Sequence, residues 1–161
     1  MMEKPYFPMF IDLTGKLVFV AGGGTVALRR VRTLLRFGAQ IRVAAPGLCE
    51  GLLCLEEEGR ISAEHRQYRS GDICGAFLVL AATDDREINR RIWEECRTAG
   101  VPVNVADNRA LCDFYFPSVV MTDEAVIGIS SGGKDPSVTK ALRKDIEKAC
   151  GTEKDSVYGI E

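Results

Sequence analysis

Leu17-Val-Phe-Val-Ala-Gly22-Gly23-Gly24-Thr-Val-Ala27 sets an apolar run, three consecutive glycines and the start of a helical pattern end to end. A short run that is apolar throughout reads as a parallel strand covered on both faces. Glycine allows the sharp turn that follows and lets a diphosphate approach bare backbone. The helix N-terminus beyond it offers unpaired N–H groups and a partial positive charge. Gly22, Gly24 and Ala27 fit G-x-G-x-x-[G/A], in which the last small residue lets helix and strand pack closely. Glycine-rich turns also serve as plain strand–helix connections. The strand before this one and the amphipathic helix after it favour dinucleotide binding, with Gly22, Gly23, Gly24, Thr25 and Val26 as the expected diphosphate contacts.

Working outward, residues 25–37 read as a helix with apolar Val26, Leu34 and Leu35, an arginine row at Arg29, Arg30, Arg32 and Arg36, and Gly38 at the stop. Residues 41–45 form a second strand, 48–58 a helix ended by Gly59, and 61–68 a third, more polar strand. Residues 77–82 are a central buried strand, after which Thr83-Asp84-Asp85 can cap a helix over 86–99, with Asp84 the favoured cap. A last strand covers 101–106. This β-α-β-α-β-β-α-β order predicts an α/β fold, a Rossmann-type doubly wound parallel sheet over residues 1–113, with ligand along the C-terminal strand edges. The lead-in, Tyr6-Phe-Pro-Met-Phe-Ile11, is expected to pack under the sheet edge.

After Asp113 the pattern changes to two strand-like runs, 114–121 and 125–130, then a loop and a helix over 137–150. A β-β-α unit of this size cannot bury its own core, so residues 114–150 are expected to pack on a partner subunit or on the first domain. Residues 151–161 read as a flexible tail. The composition is ordinary for a globular domain and the net charge is −2, which gives no global signal for nucleic acid. Six scattered cysteines without a C-x-x-C pair, a single histidine and no signal peptide lead us to expect reduced thiols, a cytoplasmic location and no structural metal site. The apolar runs are strand-length, so no membrane span is expected.

Several stretches in series resemble one family. They are Phe7-Pro-Met-Phe-Ile-Asp-Leu, Val20-Ala-Gly-Gly-Gly-Thr-Val-Ala-Leu-Arg-Arg, Leu80-Ala-Ala-Thr-Asp-Asp, Asn89, Val103-Asn-Val-Ala-Asp107, Phe116-Pro-Ser118 and Ile129-Ser-Ser-Gly-Gly-Lys-Asp-Pro136. In this order they look like the precorrin-2 dehydrogenase/sirohydrochlorin ferrochelatase family, the N-terminal module of siroheme synthases. The resemblance covers about residues 6–150. It implies NAD+-dependent oxidation of precorrin-2 to sirohydrochlorin, iron insertion in some members, and a cytoplasmic homodimer in which residues 114–150 serve dimerisation and the substrate cleft. The chain stops at Glu161, short of a further helical segment and a methyltransferase domain of longer members, so a separate methyltransferase or chelatase partner is an expectation. A non-catalytic dinucleotide- or tetrapyrrole-binding sensor, or another NAD(P)-linked oxidoreductase, is the alternative.

Asp107 follows the last strand of the sheet, and the resemblance makes it the candidate general base; the plainer reading is a loop aspartate capping residues 108–110. Asn104 could bond the nicotinamide amide or satisfy nearby backbone, and strand alternation requires a bend after Ala106 if it shares a site with Asp107. Thr83 lies where a cofactor crosses the central strand, and Ala44 stands where an acidic residue usually holds the adenosine ribose. Without that acid, and with Arg42 nearby, the residues leave NAD or NADP open; the resemblance favours NAD+. Ser130, Ser131 and Gly132 could bind a carboxylate of a tetrapyrrole or form an ordinary capped turn. Precorrin-2 carries many carboxylates, for which Lys134, Arg143 and Arg109 are the candidate cations, each with a solvated-surface alternative.

Overall fold

The computed structural model describes residues 6–132 and 135–152, which fall into two compact units. The unit Ile11–Phe114 is built on a five-stranded parallel sheet. Its strands are β1 (Leu17–Ala21), β2 (Gln40–Ala44), β3 (Ser62–Glu64), β4 (Leu78–Ala81) and β5 (Val103–Val105), ordered β3-β2-β1-β4-β5. Helices α1 (Thr25–Leu35), α2 (Glu50–Glu57) and α3 (Arg86–Ala99) connect them, so the fold is the expected Rossmann-type doubly wound sheet. From β1 the chain steps outward through β2 to β3, then returns to β4 on the other side of β1. In a doubly wound sheet that reversal, between β1 and β4, is where a ligand crevice lies at the C-terminal edge.

Sequence places the crevice by supplying strands that only a two-faced core satisfies. Val18 to Ala21 and Val79 to Ala81 are completely buried. Phe19, Ala21, Val79, Ala81, Val103 and Val105 pack with Ile92 and Cys96 of α3. By strand alternation Val18, Val20 and Leu80 turn to the opposite face, and α1 buries Ala27, Val31 and Leu34. The third strand is shorter than its pattern. It ends at Glu64, because Arg66 turns out of the ladder to pair with Glu64 and, at 2.8 Å, with Asp72. The Tyr68 hydroxyl then donates to Glu95 of α3.

The second unit joins residues 115–152 to residues 6–10. Its strands β6 (Ser118–Met121) and β7 (Val126–Ile129) pair antiparallel, and α4 (Pro136–Ala149) follows. Val120 and Ile129 are buried, whereas α4 buries none of its residues and leaves Val138 and Leu142 half exposed. Residues 6–10 of the lead-in group with this unit and not with the unit of the parallel sheet. Tyr6 meets Tyr115 edge-on at 4.4 Å with a hydroxyl–hydroxyl bond of 3.1 Å, a contact that draws residues 6–10 to this unit. Phe7 and Phe10 remain 88% and 74% exposed. No helix among the described residues is long and apolar enough to cross a membrane.

Candidate active site

The three glycines have three different reasons. A β-carbon on Gly22 meets the Ala82 carbonyl oxygen at 2.2 Å, and Gly22 has φ +123°. A β-carbon on Gly23 meets the Gly47 carbonyl oxygen at 1.9 Å. Both are glycine because the loops after β4 and β2 press against the turn. Gly24 differs: its φ of −87° suits any residue, and a β-carbon there meets nothing within 4 Å. It is the N-cap of α1, with no side-chain cap and no acidic residue in the first turn. By contrast α3 and α4 are capped by Asp85 and Asp135. Open space over an uncapped, electrically positive helix end, at Gly24, Thr25 and Val26, fits a diphosphate.

Gly24→Ser tests that fit. Serine is a favoured N-cap, so stability should hold or rise by a few tenths of a kcal/mol. Its hydroxyl would occupy the N–H groups the diphosphate needs, and its β-carbon the approach. Dinucleotide affinity measured by calorimetry is expected to fall at least about tenfold, against the ~1.5–3 kcal/mol of charged hydrogen bonds to such an anion. Affinity unchanged in the folded variant would put the diphosphate elsewhere.

At the end of β2 the structure redirects the reading. Ala44 is 2% exposed and its side chain belongs to the core, while its carbonyl accepts from Gly22 N–H at 3.0 Å. It supports the glycine turn through its backbone and offers no side chain to a ligand. Beyond it, Ala45 is buried too, and Pro46 and Gly47 are the exposed residues at this edge. Arg42 lies over the Phe19 ring and donates to the Asp72 carbonyl, so its guanidinium is engaged within the fold.

The C-terminal ends of β4 and β5 carry a hydrogen-bonded cluster. Asp85, not Asp84, caps α3: Oδ1 accepts from the N–H groups of Glu87 (2.8 Å) and Ile88 (3.2 Å), because the helix starts at Arg86 and the cap is the residue just before it. The Thr83 hydroxyl lies 3.0 Å from the Asp85 carbonyl and 2.8 Å from Asn89 Oδ1. Asn89 Oδ1 also accepts from Thr83 N–H at 3.1 Å. Asn89 Nδ2 donates to the Thr83 carbonyl at 3.0 Å and to Asp107 Oδ1 at 3.1 Å. Asn89 is 1% exposed and every amide atom is used. It was visible in the sequence only as part of the family resemblance; its signal is a polar residue on the apolar face of α3, six positions after Thr83.

The chain turns at Ala106-Asp107, directly after β5. Asn108 takes the capping work, its Oδ1 accepting from Ala110 N–H at 3.1 Å for the 3₁₀ turn Arg109–Leu111. The Asp107 carboxylate is therefore not the cap. Its Oδ2 lies 3.7 Å from Arg86 Nε, a largely exposed side chain, and Asp107 lines a cavity of about 300 Å³ with Asn89, Arg86, Arg90, Asn108 and Leu111. Arg109 sits exposed in the adjoining turn. Cys112 donates to the Val105 carbonyl at 3.2 Å, and burial pushes its thiol up, which keeps it protonated in that bond.

Asn104 is 3% exposed, and its Nδ2 donates to the Phe114 carbonyl at 2.8 Å. That bond sets the amide's orientation and leaves Oδ1 buried with no hydrogen-bond partner among the described residues. A buried acceptor of this kind costs about 1–3 kcal/mol unless a ligand supplies the donor. Arg30, on α1, is pushed down to about 10 by burial and by Arg29.

In the C-terminal unit the serine loop is internally bonded. Ser131 Oγ donates to the Asp135 carbonyl at 3.0 Å, and Ser130 Oγ accepts from Gly132 N–H at 3.1 Å. Gly132 has φ +64°. The hydrogen bonds from Ser137 hold the Asp135 carboxyl below its ordinary range, as suits a cap. Arg143 lies 3.6 Å from Glu147, one turn on, and both are half-buried. Lys134 lies outside the described residues.

A doubly wound sheet, a glycine turn shaped for a diphosphate and a polar cluster at the neighbouring strand ends define a dinucleotide-binding Rossmann domain. The chain belongs to the NAD_binding_7 family, described as "Putative NAD(P)-binding", whose model matches residues 9–118. It is 43% identical over 143 residues to "Probable multifunctional siroheme biosynthesis protein HemA" of Ruminiclostridium josui, covering 88% of this chain and 28% of that protein. It is 42% identical over 146 residues to a siroheme synthase of Nitrosospira multiformis, covering 88% and 31% respectively. The chain thus spans about a third or less of the length of these relatives. A solved structure titled "SirC, precorrin-2 dehydrogenase" superposes with a TM-score of 0.74 at 26% identity, covering 89% of this chain and 71% of that one.

Proposed function

We propose that this protein oxidises precorrin-2 to sirohydrochlorin with NAD+. The observation that carries the reading is Asp107: a carboxylate released from capping, anchored on one oxygen and lining a cavity at the C-terminal sheet edge. The likeness to SirC, described as a precorrin-2 dehydrogenase, and to siroheme synthases supports precorrin-2 as the substrate.

The reaction removes a hydride and a proton from the substrate. NAD+, when bound, supplies the hydride acceptor and leaves as NADH. The chain's part is to bind, orient and deprotonate. Gly24, Thr25 and Val26 hold the diphosphate at the uncapped end of α1. Asn104, whose Oδ1 has no hydrogen-bond partner among the described residues, would accept from the nicotinamide carboxamide. Asp107 Oδ2 takes the substrate proton. Ser130, Ser131, Gly132, Lys134, Arg143 and Arg109 are proposed carboxylate contacts. The exposed Phe7, Phe10, Val138 and Leu142 of the C-terminal unit support a homodimer, and we place the protein in the cytoplasm with its thiols reduced.

The test is anaerobic mixing of the protein with enzymatically generated precorrin-2 and NAD+ or NADP+, following the absorbance of sirohydrochlorin and of the reduced nucleotide. Equimolar appearance of both with NAD+ is the expected result, and Fe2+ added afterwards asks separately about iron insertion. Dinucleotide binding without conversion would instead favour a non-catalytic sensor.

A further inference from the structure

Asn89 and Arg86 both approach Asp107, and they are unequal. Arg86 is 3.7 Å away with a side chain 90% exposed, and such pairs contribute little through water. Asn89 is 1% exposed, donates at 3.1 Å, and has its own amide oriented by three bonds to Thr83. A structural tie between α3 and the β4 loop needs only the bonds to Thr83. The fourth bond reaches a different strand end, 18 residues further along the chain, and ends on the carboxylate itself.

We propose that Asn89 is a positioning residue for proton abstraction: its Nδ2 holds Asp107 Oδ1 against the Thr83 backbone and thereby presents Oδ2 to the cavity both residues line. The proposal rests on the reading of Asp107 as the proton acceptor. The buried amide anchors one carboxylate oxygen, so rotation of the Asp107 side chain breaks a buried hydrogen bond. The other oxygen keeps its lone pairs for the substrate. Because Thr83 stands at the β4 edge, the same amide sets the distance between the base and the strand end over which the nucleotide passes.

Asn89→Asp in the full chain separates this from a structural role. It preserves size and keeps the acceptor for the Thr83 N–H and hydroxyl, but loses both donations from Nδ2. We expect kcat for precorrin-2 oxidation to fall at least about tenfold with KM and dinucleotide affinity within about twofold. In an Asp107→Asn background the same substitution should cost no further kcat, since the group it positions is already gone. Equal losses in both backgrounds, or a loss carried by dinucleotide affinity, would overturn the proposal. A second readout needs neither turnover nor a folded Asn89 variant: the side-chain amide resonances of Asn89 in 15N-labelled protein should shift on Asp107→Asn, and no shift would overturn the contact. Absence of turnover in the unaltered protein fails the dehydrogenase reading instead. The resonance then decides the clasp by itself.

Discussion

Asp107→Asn is expected to lower precorrin-2 oxidation by about 10²–10⁴-fold, the usual contribution of a positioned general base. The substitution changes almost nothing else. Asn89 Nδ2 can still donate to the new amide oxygen, the capping of residues 109–111 belongs to Asn108, and the cavity keeps its shape. What disappears is an oxygen able to take a proton. The loss should fall on kcat, because the deleted interaction develops as the proton moves and not on binding. Dinucleotide affinity, which we propose is set by Gly24 and the α1 N-terminus, should stay within about twofold. Stopped-flow oxidation beside calorimetric titration of NAD+ measures both. Turnover undiminished in the folded variant would remove Asp107 from the chemistry and pass the proton to solvent or another group.

Gly22→Ala should have the largest effect on stability. Its β-carbon would lie 2.2 Å from the Ala82 carbonyl oxygen and 2.6 Å from that carbonyl carbon, both backbone atoms of the loop leaving β4. Neither can move aside without breaking the bond from Ala82 N–H to the Ala21 carbonyl, 2.8 Å long, which helps hold β1 beside β4. The φ of +123° adds a backbone cost of about 1–2 kcal/mol for an L-residue. Overpacking a tight contact adds about 1–3 kcal/mol. A total of about 2–5 kcal/mol is a large part of a stability that is itself only about 5–15 kcal/mol. In a chain of this length it corresponds to a fall in Tm of roughly 5–15 °C. Thermal unfolding of Gly22→Ala against Gly24→Ser makes the contrast sharp, since the two glycines stand two residues apart and only the first is required by the fold. Equal stability of the two variants would refute that division.

Much of the fold was legible because its signals are local. The apolar run from Leu17, the glycines after it and the helical spacing that follows are neighbours in the chain, and strand, turn and helix answer to neighbours. The same holds for Gly38 and Gly100, which end α1 and α3 with positive φ. Where several residues competed for one local task, sequence was less decisive. Asp84 and Asp85 are both good caps, and which one acts depends on where the first helical turn closes; Asp107 and Asn108 compete likewise, and the turn after β5 assigns the cap to Asn108.

The sequence by itself determined a doubly wound dinucleotide-binding sheet, the glycine turn proposed for a diphosphate, and the candidacy of Asp107. Only the tertiary structure decided that Ala44 is core rather than cofactor wall, that Asn104 keeps a bare acceptor, and that Asn89 joins Thr83 to Asp107. Periodicity tells a residue which face of its own element it occupies. It cannot tell that residue which atom of another element stands opposite, because that depends on how β4 and β5 end in register and how closely α3 packs across them.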